Sequence, residues 1–257
     1  MITINPAKTE YAWQTPLEIS LKGQIGEVQH KNKVHDNSLK IKTGITAGLG
    51  ILTGLTLLSK GKFNPLNPKT WKNYIKIDHT KNIIPLAGTS ILGGLLGGIA
   101  FDKKENLKPK LKESISQMVG NFIVPVTLVT GVHKLTDKFK LADKMPQLKG
   151  AASAVKRING SLKMLPQVGL SIAALAVGIV GGNFLANKIN GLIFDKDAKR
   201  EVRLADLSGH MEDICMVSAL VAPENKFCHF IGNFIPPLLG IAGISVGTAD
   251  NNRGHKH

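Results

Sequence analysis

The clearest set of side chains that could do chemistry lies between residues 204 and 213. Asp206, His210 and Asp213 fall at i, i+4 and i+7, so a helix would place all three on one face. Such a face within a membrane could bind a cation or relay protons. The alternative is a helix start in the headgroup region, where the positive end of the helix dipole favours acids. The closeness of these residues to a predicted helix start favours this second interpretation.

Two asparagine–proline pairs form another candidate site. Asn121 precedes Pro125, and Asn233 precedes Pro237, each by four residues and within closely related sequences. A proline inside a helix frees the carbonyl group one turn back and bends the helix. Broken helices at equivalent places in two repeats are typical of transporter binding sites. The alternative, slightly favoured, is two packing kinks without a ligand.

Glycine spacing predicts close helix packing. Four apolar segments each carry glycines four residues apart, which fall on one helix face. Small residues let helix backbones approach in lipid, where dispersion contacts replace the hydrophobic drive. The predicted packing residues are Gly44, Gly48, Gly94, Gly98, Gly178, Gly182, Gly243 and Gly247.

Motifs for cofactors are scarce. The sequence contains no P-loop and no His-Glu-x-x-His motif, and its two cysteines predict no disulfide framework. We therefore expect no cofactor and no metal. An enzyme is the least favoured function class.

The elements that must position these residues are long charge-free runs. Each has 17 to 24 residues, and a helix needs about 20 apolar residues to cross a bilayer. Lysines gather at their ends, and none of the 33 Lys and Arg residues lies inside. The runs are 43–59, 82–101, 114–132, 164–187 and 227–249. They predict an all-α, multi-pass transmembrane helix bundle in a cell or inner membrane.

The predicted organisation has three parts: a polar arm over 1–37, a bundle over 38–249 and a polar tail over 250–257. Alternating residues near Leu17–Leu21 suggest a short strand or hairpin in the arm. Residues 148–162 suggest a separate amphipathic helix on the membrane surface. The predicted bundle helices cover about 38–60, 83–101, 111–135, 165–193, 199–222 and 227–248.

An internal duplication bears on the number of spans. Gly120–Pro125 and Gly232–Pro237 share five of six residues. A parallel duplication requires the third and last helices to run the same way, which favours five spans with 199–222 not crossing. The acids of 199–222 agree, because a mid-membrane Asp costs about 2.5–3.5 kcal/mol. Six spans are the close alternative.

The net charge of +15 comes from basic residues spread over nearly every loop. With no recognition motif and only two Trp and two Tyr, this pattern predicts anionic lipid headgroups as partners and no nucleic acid. Assembly of several copies through glycine faces is a further expectation. Two function classes remain: transport or permeation of a small solute or ion, and a structural or membrane-organising role.

Overall fold

The computed structural model describes residues 16–77, 81–150, 152–194 and 233–250, and these are all helical apart from turns and loops. The α-helices are α1 (Pro16–Leu58), α2 (Ile83–Phe101), α3 (Leu107–Ile115), α4 (Val124–Lys138), α5 (Ser153–Ile193) and α6 (Ile235–Gly247). A π-helical segment, Ser116–Ile123, joins α3 to α4 without a break. Short 3-10 helices cover Pro68–Lys76, Lys104–Asn106 and Leu141–Lys144. The chain divides into two compact units after Ser38.

Four helices are long and apolar enough to cross a membrane: Asp36–Leu58, Ile83–Phe101, Lys104–Lys138 and Ser153–Ile193. Their outward faces carry large apolar side chains, such as Leu57, Leu96 and Phe184, which are between 65% and 71% exposed. Exposed apolar surface on this scale suits lipid better than water. The chain is thus an all-α protein with the character of a membrane helix bundle. Helix α6 is also apolar but shorter, at 13 residues.

Helices α1, α2 and α6 pack through small residues. Along α1 and α2 the contacts run in opposite order, with Thr46 beside Gly97 and Gly50 beside Thr89. Along α2 and α6 the contacts run in the same order, since Gly94 lies beside Gly243 and Gly98 beside Gly247. Thus α1 is antiparallel to α2, and α6 is parallel to it.

Helix α5 packs antiparallel to the continuous helix of α3, the π-segment and α4. Asn190 contacts Lys112, whereas Gln167 contacts His133. Lys110 reaches both Asp102, after α2, and Gly247, at the end of α6. We call this the Asp102 end of the bundle. The opposite end, where Tyr74 contacts Asn233, is the Tyr74 end.

Three predictions from the sequence are wrong about where helices begin. The strand expected at Leu17–Leu21 is wrong, because the chain is helical from Pro16, where proline starts a helix well. The separate helix over 148–162 is wrong, because α5 runs unbroken from Ser153 through Pro166. Pro236 and Pro237, predicted to lie in the middle of a helix, are not in a helix interior. They lie in the first turn of α6, where the missing N–H costs nothing.

The direction of α6 bears on the number of spans. Helix α6 runs opposite to α3 and α4, whereas the favoured five-span topology required the same direction. The described chain leaves α5 at the Asp102 end and resumes at the Tyr74 end with Asn233. These positions fit the six-span alternative. The segment 199–222 itself lies outside the described residues.

Candidate functional site

Polar side chains form a ladder along the helix that runs from α3 into the π-segment. Gln117 Nε2 donates to Glu113 Oε1, and Asn121 Nδ2 donates to Gln117 Oε1, both at 2.7 Å. Gln117 is buried. This ladder pairs side-chain groups that would be costly to leave without a partner in an apolar setting. The Asn121 side chain thus belongs to this ladder.

Asn190 of α5 extends this polar cluster at the Asp102 end. Its Nδ2 donates to the Lys112 carbonyl and to Ser116 Oγ, each at 3.1 Å. Asn190 is buried, and its Oδ1 has no hydrogen-bond partner among the described residues. Two turns earlier, Asn183 donates to the Ile179 carbonyl at 2.9 Å. The cluster ties α5 to α3 and to the π-segment.

The π-segment coincides with close backbone contact. The N–H of Val124 donates to the Val119 carbonyl, five residues back. Pro125 follows with no N–H to continue a regular ladder. A Cβ at Gly178 would lie 2.6 Å from Pro125 Cα, so only glycine fits there without a shift. π-Helical turns often mark functional sites. Within this π-helical segment, the backbone of Gly120 also lies close to Gly182 of α5.

A second polar cluster lies toward the Tyr74 end. Gln167 Nε2 and His133 Nδ1 are 2.9 Å apart. His133 Nε2 and Ser171 Oγ are buried without a hydrogen-bond partner in the described part of the chain. Buried polar atoms are paired in most proteins, so these two atoms single out the cluster as a candidate contact for water or an ion.

Apolar packing separates the two clusters. Phe122, Val126, Val129 and Leu175 fill the level between them. The helix rise from Asn121 to His133 is about 18 Å at 1.5 Å per residue. Along this described interface, polar groups therefore form two separate clusters and no continuous line.

A buried ammonium group joins three segments at the Asp102 end. Lys110 Nζ donates to Asp102 Oδ2 at 2.7 Å, to the Gly247 carbonyl at 2.8 Å and to the Ala249 carbonyl at 2.9 Å. Asn106 Nδ2 donates to the same carboxylate oxygen at 3.0 Å. Burial raises the pKa of Asp102, but these hydrogen bonds outweigh burial and hold the pKa below its usual value. All three donors of Lys110 are thus used, two of them by carbonyls at the end of α6 and one by the Asp102 carboxylate after α2.

The predicted glycines mostly lie at helix contacts. A Cβ at Gly98 would lie 2.6 Å from the Gly247 carbonyl oxygen, and one at Gly182 would lie 2.7 Å from that of Gly120. At Gly44 the nearest atom, on Ile244, would be 3.4 Å away, and at Gly48 nothing described lies within 4 Å. The other predicted glycines with contacts under 3 Å are Gly94, Gly178, Gly243 and Gly247.

The remaining predicted residues are not brought together in the described structure. Asp206, His210 and Asp213 lie outside the described residues. The Asn233 carbonyl accepts a hydrogen bond from the Tyr74 hydroxyl, and burial raises the pKa of Tyr74 to about 12. Pro237 lies in the first turn of α6. Asn121 and Asn233 therefore have different neighbours.

One stretch of α6 resembles a hydrolase motif in sequence but not in structure. Gly243-Ile-Ser245-Val-Gly247 matches the Gly-x-Ser-x-Gly pattern of a hydrolase nucleophile, which requires a tight strand-to-helix turn. Here the five residues lie within α6, and both glycines contact α2. The pattern is explained by helix packing.

Comparison with protein-family models, with curated proteins and with solved structures finds no match.

Proposed function

We propose that this chain is a structural, membrane-organising protein whose helices are locked by glycine contacts and whose basic ends hold anionic lipid headgroups. The observation that carries the proposal is the paired contact of α2 with α6, where Gly94 meets Gly243 and Gly98 meets Gly247. Helices that touch at backbone level have little freedom to rock against each other, because any shift meets main-chain atoms.

The contact between α5 and α4 supports the same function. Gly178 lies against Pro125, and apolar side chains fill the neighbouring level. A carrier that alternates between two openings needs one part to move against another around a central site. Close backbone contacts occur both among α1, α2 and α6 and between α5 and α4, and they favour a rigid scaffold.

The experiment is reconstitution of the full chain into vesicles. We expect vesicle permeability to protons, potassium and small neutral solutes to match that of protein-free vesicles. We also expect native lipid discs cut from the membrane to be enriched in anionic lipid around the protein. Solute flux that requires the protein would contradict the structural role.

Permeation remains a second candidate because of the two polar clusters. Glu113 and His133 are separated by a helix rise of about 30 Å, close to the thickness of a bilayer core. Buried Ser171 and Asn190 each present an unpaired oxygen among the described groups. If vesicles conduct, Gln117→Leu should abolish the conductance, while Thr53→Leu, at an exposed site on α1, should leave it unchanged.

A further inference from the structure

A basic pocket of about 400 Å³ lies where α1 ends, beside the 3-10 helix Pro68–Lys76. Lys60, Lys62 and Lys76 line it, together with Asn73 and Ser59. None of its described lining residues is acidic. We propose that this pocket binds the phosphate headgroup of an anionic phospholipid. The proposal deepens the structural function above and rests on it for the membrane setting.

Hydrogen bonds hold the pocket in shape. The chain leaves α1 through a left-handed turn, with φ of 53° at Lys60 and 77° at Gly61, and Gly61 N–H donates to the Thr56 carbonyl at 3.1 Å. Ser59 Oγ accepts from Phe63 N–H at 3.0 Å. Asn73 Nδ2 donates to the Lys62 carbonyl at 2.6 Å and ties the 3-10 helix to this turn. The lysine backbones are therefore fixed before any ligand arrives.

The charge of the pocket matches a phosphate. Lysine ammonium groups bind phosphates as compact positive charges with several donors. Three of them around one pocket concentrate positive potential at a single point. A phosphodiester group carries one negative charge and is small enough to fit a pocket of about 400 Å³.

The surroundings of the pocket favour a lipid over a free phosphate. The α1 span ends at Leu58 and the α2 span begins at Ile83, so the turn between them lies at the membrane boundary. Leu66, Trp71 and Ile75 of this connection are 91%, 55% and 56% exposed. Tryptophan and apolar side chains at a helix end are typical of the headgroup layer. Leu58 and Ile77, in the pocket wall, offer apolar surface to the start of an acyl chain.

The test compares lipid binding to the full chain in a non-ionic detergent by native mass spectrometry. The probes are phosphatidylglycerol, phosphatidylcholine and inorganic phosphate. We expect phosphatidylglycerol to bind preferentially, and the variant K60Q/K62Q/K76Q to bind it at least tenfold more weakly. The matched control K138Q/K144Q/K149Q removes equal charge from exposed lysines at the same end of the bundle and should bind normally. The single variant K62Q should lose about fivefold if the triple variant fails to fold.

Equal losses in the pocket and control variants would overturn the site, because they would reflect general charge alone. Displacement of phosphatidylglycerol by inorganic phosphate at similar concentrations would overturn a lipid ligand. If the protein does not prefer phosphatidylglycerol to phosphatidylcholine but its vesicles remain impermeable, only the pocket proposal is overturned. Protein-dependent flux overturns the structural function, whichever lipid binds.

Discussion

Single glycines decide how closely the helices approach. Sequence spacing predicts a small-residue face, but it cannot say which neighbour, if any, that face meets. Gly48 and Gly94 have similar spacing in sequence, yet only Gly94 lies against another backbone in the described chain. The difference depends on tertiary contacts that a periodic pattern does not encode.

Gly94→Ala should therefore destabilise the bundle, while Gly48→Ala should not. The added methyl group would collide with the Gly243 carbonyl, and overpacking of this kind costs about 1–3 kcal/mol. At Gly48 the same change meets open space and gains up to about 1 kcal/mol of helix propensity. Unfolding in a denaturing detergent measures both. Equal stability of the two variants would refute backbone contact at Gly94.

Lys110 could not be recognised from sequence, since it is one of many lysines near helix ends. Lys110→Met should cost about 3–5 kcal/mol, because it leaves a buried carboxylate without its charged partner. Lys104→Met, at an exposed position, is the control and should change little.

The ion pair between Lys110 and Asp102 predicts a pH dependence of stability. The folded pKa of Asp102 is below its unfolded value of 3.8, so its stabilisation is fully present above that value. The stabilisation is lost as the pH falls through the lower folded pKa. Wild-type stability should therefore fall in acid more than that of Asp102→Asn. Parallel pH curves for the two proteins would contradict the assignment.

Elements differ in how well the sequence anticipates them. Helix α2 matches its prediction at both ends, because the charged residues Lys81 and Asp102 bound a charge-free run. Helices α1 and α5 begin earlier than predicted, since charged residues mark water exposure and not helix termination. The π-segment leaves no sequence signal beyond Pro125, and its Gly120 packs against α5 at Gly182. The internal duplication stays a prediction, and its two copies differ in conformation where described.

The docking of the 3-10 helix Pro68–Lys76 on the turn before α6 can be followed through Tyr74. The chain has two tyrosines, and burial raises the pKa of Tyr74 to about 12, above its ordinary value of 10.0. Its contribution to stability is present below pH 10 and is lost between pH 10 and about 12. Phenolate absorbance should show one late titration that Tyr74→Phe removes and Tyr11→Phe retains. A single transition near pH 10 would mean that Tyr74 does not dock.

At the scale of the whole molecule, charge-free runs predicted the membrane character, because hydrocarbon excludes charge whatever the fold. Composition could not supply the topology, since lysines flank both ends of the runs almost equally. The contact of Tyr74 with Asn233 and that of Lys110 with Gly247 supply the direction of α6. Together with the direction of α5, they fit the six-span alternative, whose additional span, 199–222, lies outside the described residues.

Cysteine accessibility in sealed vesicles tests this topology most directly. In a variant lacking Cys215 and Cys228, we expect Leu66→Cys and Lys149→Cys to label from one side and Lys104→Cys from the other. Six crossings further require Pro223→Cys to label from the side opposite to Lys104→Cys. Labelling of Leu66→Cys and Lys104→Cys from the same side would contradict the bundle topology, and recovery of the protein in a detergent-free soluble extract would contradict the membrane claim itself.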